Sequence, residues 1–310
     1  MDDCQETIPV SNVSCRFRET ANDETLNCKS ILDLAHPPGA KTPGCKVEAR
    51  SVFVRAVRPE HDERSKMNLE EGAFQLGVPL DAAQLASFDQ YLALLLDWNQ
   101  RMSLTTITDP VEVVTKHFLD SLSCLLALPR IDQQPVQDWL ARPLRAVDVG
   151  AGPGFPGLPL KIAWPALRLT LIESTGKKCR FLEQVVADLG LQYVTVINER
   201  AEDYGQGRQR ASFDLALARA LSRLPTALEY CLPLLKTGGW LIAQKGKDPQ
   251  EEAAEARVAL NTLGGSLHDI LPVDVPGLDA QRSLVIVHKD AKTPVAYPRR
   301  AGIPQHQPLL

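Results

Sequence analysis

The stretch Asp148-Val149-Gly150-Ala151-Gly152-Pro153-Gly154-Phe155-Pro156-Gly157 decides the fold. The run 145–150 is short and apolar, as a buried strand is, and a helical pattern continues through 160–163. Glycines in such a strand-to-helix turn let the backbone pass close to a ligand and present amides at a helix start. A dinucleotide fingerprint G-x-G-x-x-G needs glycine at 155, where Phe155 stands. Gly150, Gly152 and Gly154 follow G-x-G-x-G instead, after the acid Asp148. Glu173 ends the next apolar run, where a carboxylate can accept both hydroxyls of a ribose. That combination suits the nucleoside of S-adenosyl-methionine (SAM) better than a pyrophosphate and disfavours a nicotinamide oxidoreductase. A glycine-rich turn without a ligand is the plainer alternative.

Downstream, strands are expected at 167–172, 193–198, 213–219, 240–245, 269–273 and 283–288, with helices at 177–189, near 226–235 and at 251–263. Alternation of this kind implies a parallel sheet covered on both faces. Only 276–280 joins the last two strands, too short for a crossover, so they should pair antiparallel. The expected fold class is α/β: a doubly wound, mostly parallel sheet of the class I methyltransferase type, with one antiparallel edge strand. Upstream, Asp81 and Gln84 resemble a capping box before Phe88, Tyr91, Leu92, Leu95 and Leu96 at helical spacing. Asp109-Pro110 supplies an N-cap and an N1 proline for a second helix with Val111, Val114, Phe118, Leu122 and Leu125 on one stripe. Residues 130–143 are polar, hold two prolines and read as a linker. The domains expected are a leader at 1–66, a helical N-terminal cap at 67–130, and a SAM-binding domain with a basic C-terminal tail at 131–310.

The leader differs from the rest in kind. It carries four of the seven cysteines, ten Lys/Arg against eleven Asp/Glu, and no sustained period beyond a short strand candidate at 51–57. It reads as a disordered segment, as residues ahead of a true start at Met67, or as a regulatory or targeting extension. The whole chain of 310 residues has a net charge of −4, so any nucleic-acid contact must come from a local basic patch. No C-x-x-C spacing points to a metal site, and no apolar run approaches the roughly 20 residues of a membrane span. A cytoplasmic monomer is expected.

The chain from Met67 to Leu310 resembles the bacterial glucose-inhibited division protein B family, the small-subunit rRNA guanine-N7 methyltransferases. The resemblance rests on the glycine turn with Phe155-Pro156-Gly157-Leu158-Pro159-Leu160, on Trp98-Asn99 with Leu104-Thr105, and on His117-Phe118-Leu119-Asp120-Ser121. It continues through 177–182, Arg200-Ala201-Glu202-Asp203, Ala218-Arg219-Ala220, Lys245-Gly246 and the segment 297–304. It implies methyl transfer from SAM to N7 of guanine 527 in the 530 loop of 16S rRNA, with the small ribosomal subunit as partner. Carried over by position, Gly150, Gly152 and Phe155 would meet SAM in the loop, Glu173 its ribose, and Ala201 and Glu202 its adenine. Arg219 would lie near the methionine end and the substrate entrance, as a positioning group rather than an acid or base. Guanine N7 has a lone pair and no proton, so its attack on a sulfonium methyl needs alignment and no general base.

RNA contacts are expected from two clusters: Lys289, Lys292, Arg299 and Arg300, and Lys177 and Lys178 with Arg180. Lys245 is a further RNA contact or the partner of a nearby carboxylate. His117 and Asp120 read as a structural pair docking the helices onto the sheet, or as substrate contacts. Cys124, Cys179 and Cys231 fall in or beside helical stripes and read as buried, inert thiols rather than nucleophiles. Two other readings stay open: a methyltransferase of the same fold acting on a small molecule or protein, and a non-catalytic ribosome-binding module.

Overall fold

The computed structural model describes residues 68–310. The leader, its strand candidate at 51–57 and the start at Met67 lie outside the described residues. Helices come first: α1 (Leu69–Gln75), α2 (Ala82–Asn99) and a continuous helical run. That run opens with α3 (Pro110–Val113), widens into a π-helix at Val114–Leu119, and returns to α4 (Asp120–Leu122). It then tightens to a 3-10 helix at Ser123–Ala127 and ends with α5 (Leu128–Asp132), before α6 (Val136–Leu140). The alternating part follows: β1 (Arg145–Val149), α7 (Gly157–Ala163), β2 (Arg168–Ile172), α8 (Gly176–Asp188), β3 (Val194–Ile197) and α9 (Ala201–Gln206). Next come β4 (Phe213–Arg219), α10 (Leu224–Cys231), β5 (Leu235–Lys245), α11 (Gln250–Glu255), α12 (Arg257–Leu263), β6 (Gly265–Val273), β7 (Arg282–Lys289) and α13 (Ile303–His306).

The capping signals act as read. Asp81 and Gln84 exchange side-chain-to-backbone hydrogen bonds, each 2.8 Å. Gln84 also donates to the Ile162 and Ala163 carbonyls, so the cap of α2 docks on the end of α7. Asp109 accepts from the amides of Val111 and Glu112. The linker reading of 130–143 is corrected: α5 and α6 occupy it. Val136 and Trp139 are buried one turn apart, and the Trp139 indole donates to Asp132 at 2.9 Å. One-turn helices are too short to show a period, and Pro135, at the N-cap of α6, starts the helix instead of breaking it. Helices α1 and α9 and the first parts of β5 and β6 also lay outside the predicted elements.

The seven strands run in the order β3-β2-β1-β4-β5-β7-β6. Strands β3, β2, β1, β4 and β5 pair in parallel, while β7 pairs antiparallel with β5 on one side and β6 on the other. The reversed strand thus slots inside the edge strand it follows. The chain winds outward from β1 to β3, then resumes at β4 on the other side. That reversal opens a crevice at the carboxyl ends of β1 and β4, the place where doubly wound sheets bind ligands.

Alternation along β1 sends Ala146 to one core and Val147 and Val149 to the other. The first core contains α2, the helical run, α7 and α8; the second contains α10 and α12. Helices of 69–140 therefore share the sheet's own core instead of standing apart. Their centre is aromatic: Phe118 packs on Phe88 and Tyr91 at ring separations of 5.1 and 5.3 Å, and Tyr91 on Phe155 of the glycine turn at 5.6 Å. Among the described residues no helix is long and apolar enough to cross a membrane. Phe118→Ala is expected to lower unfolding free energy by about 3–5 kcal/mol, since the ring is buried among the rings of Phe88, Tyr91 and Phe155. Urea unfolding followed by tryptophan fluorescence measures the change.

Candidate active site

The glycine turn is held from four sides. The amides of Gly150 and Ala151 both donate to the Ile172 carbonyl at the end of β2. Glu173 accepts from Gly152 N at 3.0 Å with one oxygen and from Thr175 N at 2.8 Å with the other. Asp148 accepts from Gly157 N at 2.8 Å, where α7 begins. From the helical side the Tyr91 hydroxyl donates to the Pro153 carbonyl at 2.5 Å. Gly157 has to be glycine: a Cβ there would lie 2.7 Å from Asp148 Oδ2 and 2.8 Å from Leu171. Asp148 is wholly buried and its Oδ1 has no partner, the sole such side-chain atom among the described residues. Burial pushes its carboxyl up to about 7, against the opposing pull of the Gly157 amide and of Arg219.

A cleft of about 150 Å³ runs along the carboxyl edge from Gly150 and Glu173, past Ala201 and Glu202, to Tyr230 and Gln305. Leu221 and Ser222 line it from the loop after β4. The structure thus gathers four of the cofactor residues expected from sequence: Gly150, Glu173, Ala201 and Glu202. Gly152 ties the turn to Glu173. Phe155 lies beneath, nearly buried, and stacks on the His117 ring at 4.4 Å. Tyr230 and Gln305 were missed, because neither belongs to a motif and they are brought in from distant parts of the chain.

Arg219 belongs to a second cavity, of about 280 Å³, lined by Asp120, Arg219, Ala220, Gln244, Lys245, Gly246 and Arg282. Its guanidinium donates to the Lys116 carbonyl at 2.7 Å and the His117 carbonyl at 3.3 Å, and pairs with Asp120 at 3.1 Å. Both carbonyls belong to the π-helix Val114–Leu119. Asp120 also accepts from Arg282 Nε and Gln244 Nε2, each at 2.9 Å. The His117 ring makes no bond to the Asp120 carboxylate; both side chains instead bind Arg219 and so dock the helices onto the sheet edge. Burial and the neighbouring Arg219 hold the His117 imidazole near 4, so the ring is neutral. Nδ1 lies 3.1 Å from both an Arg219 guanidinium nitrogen, which donates, and the Lys116 carbonyl, which accepts, while Nε2 lies 2.8 Å from the Thr105 hydroxyl, so both ring nitrogens are engaged in either tautomer. Arg282 was missed from sequence: it opens the last strand with no motif around it.

The basic residues divide sharply. Lys289 is buried and its ammonium donates to the Leu263 carbonyl and Thr293 hydroxyl, so its place in a surface cluster is corrected. Arg299 turns inward onto Glu229, a fully buried carboxylate, which accepts from Nε and the terminal nitrogen at 2.9 and 2.6 Å. Its guanidinium is engaged in that pair, with 24% of the side chain exposed. Lys245 donates to the Ser222 carbonyl at 2.7 Å and to Glu252 at 3.0 Å. Arg300, Lys177 and Lys292 are exposed and Lys178 half-buried. Cys124, Cys179 and Cys231 are free, buried thiols, with burial pushing each upward from its ordinary value.

The profile of the GidB family, described as rRNA small subunit methyltransferase G, matches residues 84–283. A protein of Roseiflexus castenholzii named ribosomal RNA small subunit methyltransferase G is 46% identical over 235 residues, covering 76% of this chain and 95% of its own. One of the same name from Lactobacillus johnsonii is 44% identical over 234 residues, 75% of this chain and 95% of that protein. Among solved structures, the 1,6-didemethyltoxoflavin-N1-methyltransferase of Burkholderia thailandensis aligns with a TM-score of 0.43 and 17% identity, over 69% of this chain and 92% of that one.

The buried Asp148 makes stability depend on pH in a defined direction. Its folded value near 7 lies above the ordinary 3.8, so its contribution is complete below about pH 4 and is lost as pH rises through about 7. Asp148→Asn keeps an acceptor for Gly157 and removes the titration. The variant is expected to gain on the wild type by roughly 1–4 kcal/mol between pH 4 and pH 8, read from urea unfolding across that range.

Proposed function

Because the chain belongs to the rRNA small subunit methyltransferase G family, we propose that it transfers a methyl group from SAM to N7 of guanine 527, in the 530 loop of 16S rRNA. The observation that carries this reading is the adjacency of two cavities at the carboxyl edge of one sheet: the glycine-turn cleft and the arginine-lined cavity beside it.

The residues of the cleft fit the cofactor. Glu173 directly follows β2 and presents a buried carboxylate at the point where a ribose would lie, while Ala201 and Glu202 border the adenine end. Glycines at 150 and 152 adopt positive φ, +72° and +57°, leaving the turn without side chains on its ligand side. When bound, SAM supplies an electrophilic methyl on a positively charged sulfur. The protein's part is alignment: N7 brings its own lone pair, so no side chain has to take a proton. His117 accords with this, being neutral, stacked and doubly hydrogen-bonded, with no free nitrogen to act as a base. Arg219 acts as a positioning residue, since its guanidinium sets the helical run against the wall of the substrate-side cavity. Arg300, Lys177 and Lys178 hold RNA phosphates at the rim, and Lys245 contributes from its pair with Glu252.

A strain lacking the gene is expected to lose N7-methylguanine at position 527, mapped by borohydride reduction and aniline cleavage, and to regain it with the wild-type chain. Glu173→Ala should fail to restore it, with SAM affinity reduced at least tenfold by the removal of a charged acceptor. Persistence of the modification without the gene would sink the assignment.

Phosphate binding has its own signature. Lys177→Ala/Lys178→Ala/Arg300→Ala should weaken binding of a 16S rRNA fragment, and the log–log salt slope should fall by roughly 0.7–0.9 for each phosphate no longer neutralised. An unchanged slope would remove these residues from the RNA surface.

A further inference from the structure

Resting on the reading of the cleft as a SAM site, we infer that the segment 297–310 is a wall of the cofactor cleft and that Gln305 binds the adenine of the cofactor. Its sequence, with Arg299 and Arg300, suits an arm for RNA; its hydrogen bonds point inward instead. Glu202, itself in the cleft wall, accepts from Gly302 N at 2.9 Å. Glu229 takes the Arg299 amide at 2.8 Å in addition to the guanidinium. The Thr226 hydroxyl donates to the Pro304 carbonyl at 3.0 Å. Thr226, Glu229 and Tyr230 stand at i, i+3 and i+4 on α10, so one helix face both grips the segment and lines the cleft. At the other side Gln206 donates to the Pro298 carbonyl at 2.7 Å, and a Cβ on Gly205 would come within 2.9 Å of the Pro298 ring.

Two buried carboxylates, a threonine and a glutamine are thus spent on holding this segment in place. Pro304 is buried by that anchoring, and the next residue, Gln305, stands at the cleft. A primary amide offers a donor and an acceptor side by side, the complement of an adenine edge with its exocyclic amine and neighbouring ring nitrogen. Ala201 and Tyr230 supply apolar surface for the ring, while the carboxylate of Glu202 is already engaged by Gly302. Gln305 is therefore the group at this end with both a free donor and a free acceptor to read the base.

The test uses the full chain and two ligands, S-adenosylhomocysteine and its purine-riboside analogue, in which a hydrogen replaces the adenine amine, so that a glutamine amide cannot recover the lost contact by flipping. Titration calorimetry should show the wild type preferring the adenosyl ligand. Gln305→Ala should weaken that ligand about three- to tenfold and bring the ratio of the two towards one. Its ligand-free melting temperature should stay unchanged, because Gln305 is exposed. Thr226→Val, which releases Pro304, should weaken both ligands together. Affinity for a 16S rRNA fragment should be the same in wild type and Gln305→Ala. Wild-type affinity and ligand preference in Gln305→Ala would overturn the inference, as would a drop in RNA affinity with ligand binding intact. A wild-type chain that binds neither ligand would overturn the methyltransferase reading itself.

Discussion

A glycine-rich turn cannot hold its own shape, and everything around this one is arranged to hold it. Its amides need acceptors, its glycines have the widest conformational freedom of any residue, and it sits where strands, helices and cleft meet. The acceptors are the Ile172 carbonyl and two buried carboxylates, Glu173 directly after the neighbouring strand and Asp148 from the strand that leads into the turn. Tyr91 closes the fourth side from a helix some sixty residues upstream. The core below the turn is aromatic for the same reason: rigid rings fill the space under a backbone that has no side chains of its own.

The second organising element is Asp120. A carboxylate this deeply buried costs several kcal/mol in desolvation unless it is fully paired, and here two arginines and an amide share it. Arg219 comes from β4, Arg282 from β7 and Gln244 from β5, so one side chain on the helical run registers three strands at their active edge. The π-helical turn at Val114–Leu119 belongs to the same device, since its carbonyls complete the coordination of Arg219. Removing either arginine would strip Asp120 of one of its two cationic partners, so this carboxylate ties the helices to the sheet edge.

Charge on this protein is read wrongly if it is counted along the chain. Of the two arginines in the terminal cluster, one is an internal strut and the other faces solvent, and Lys289 lies inside the second core. Lys289 meets the Leu263 carbonyl, 26 residues away in the chain, and Arg299 meets the Glu229 carboxylate, 70 residues away. Sequence spacing carries no trace of such partners. It does carry local preferences, which is why the capping box at Asp81, the N-cap at Asp109 and the strand alternation were legible, while the short helices of 128–140 were not.

The sequence by itself determined the repeating strand–helix order, the turn at 148–157 and the absence of a third fingerprint glycine, because these depend on local backbone geometry and on periods within a few residues. From them the parallel sheet, its switch point and the nucleoside-sized cleft follow. Only the tertiary structure decided which polar side chains serve the site and which serve the fold. Gln305 and Arg282 enter the cavities, whereas Arg299 turns onto Glu229 and Lys289 is buried, because the partner that fixes each side chain is set by packing between distant elements.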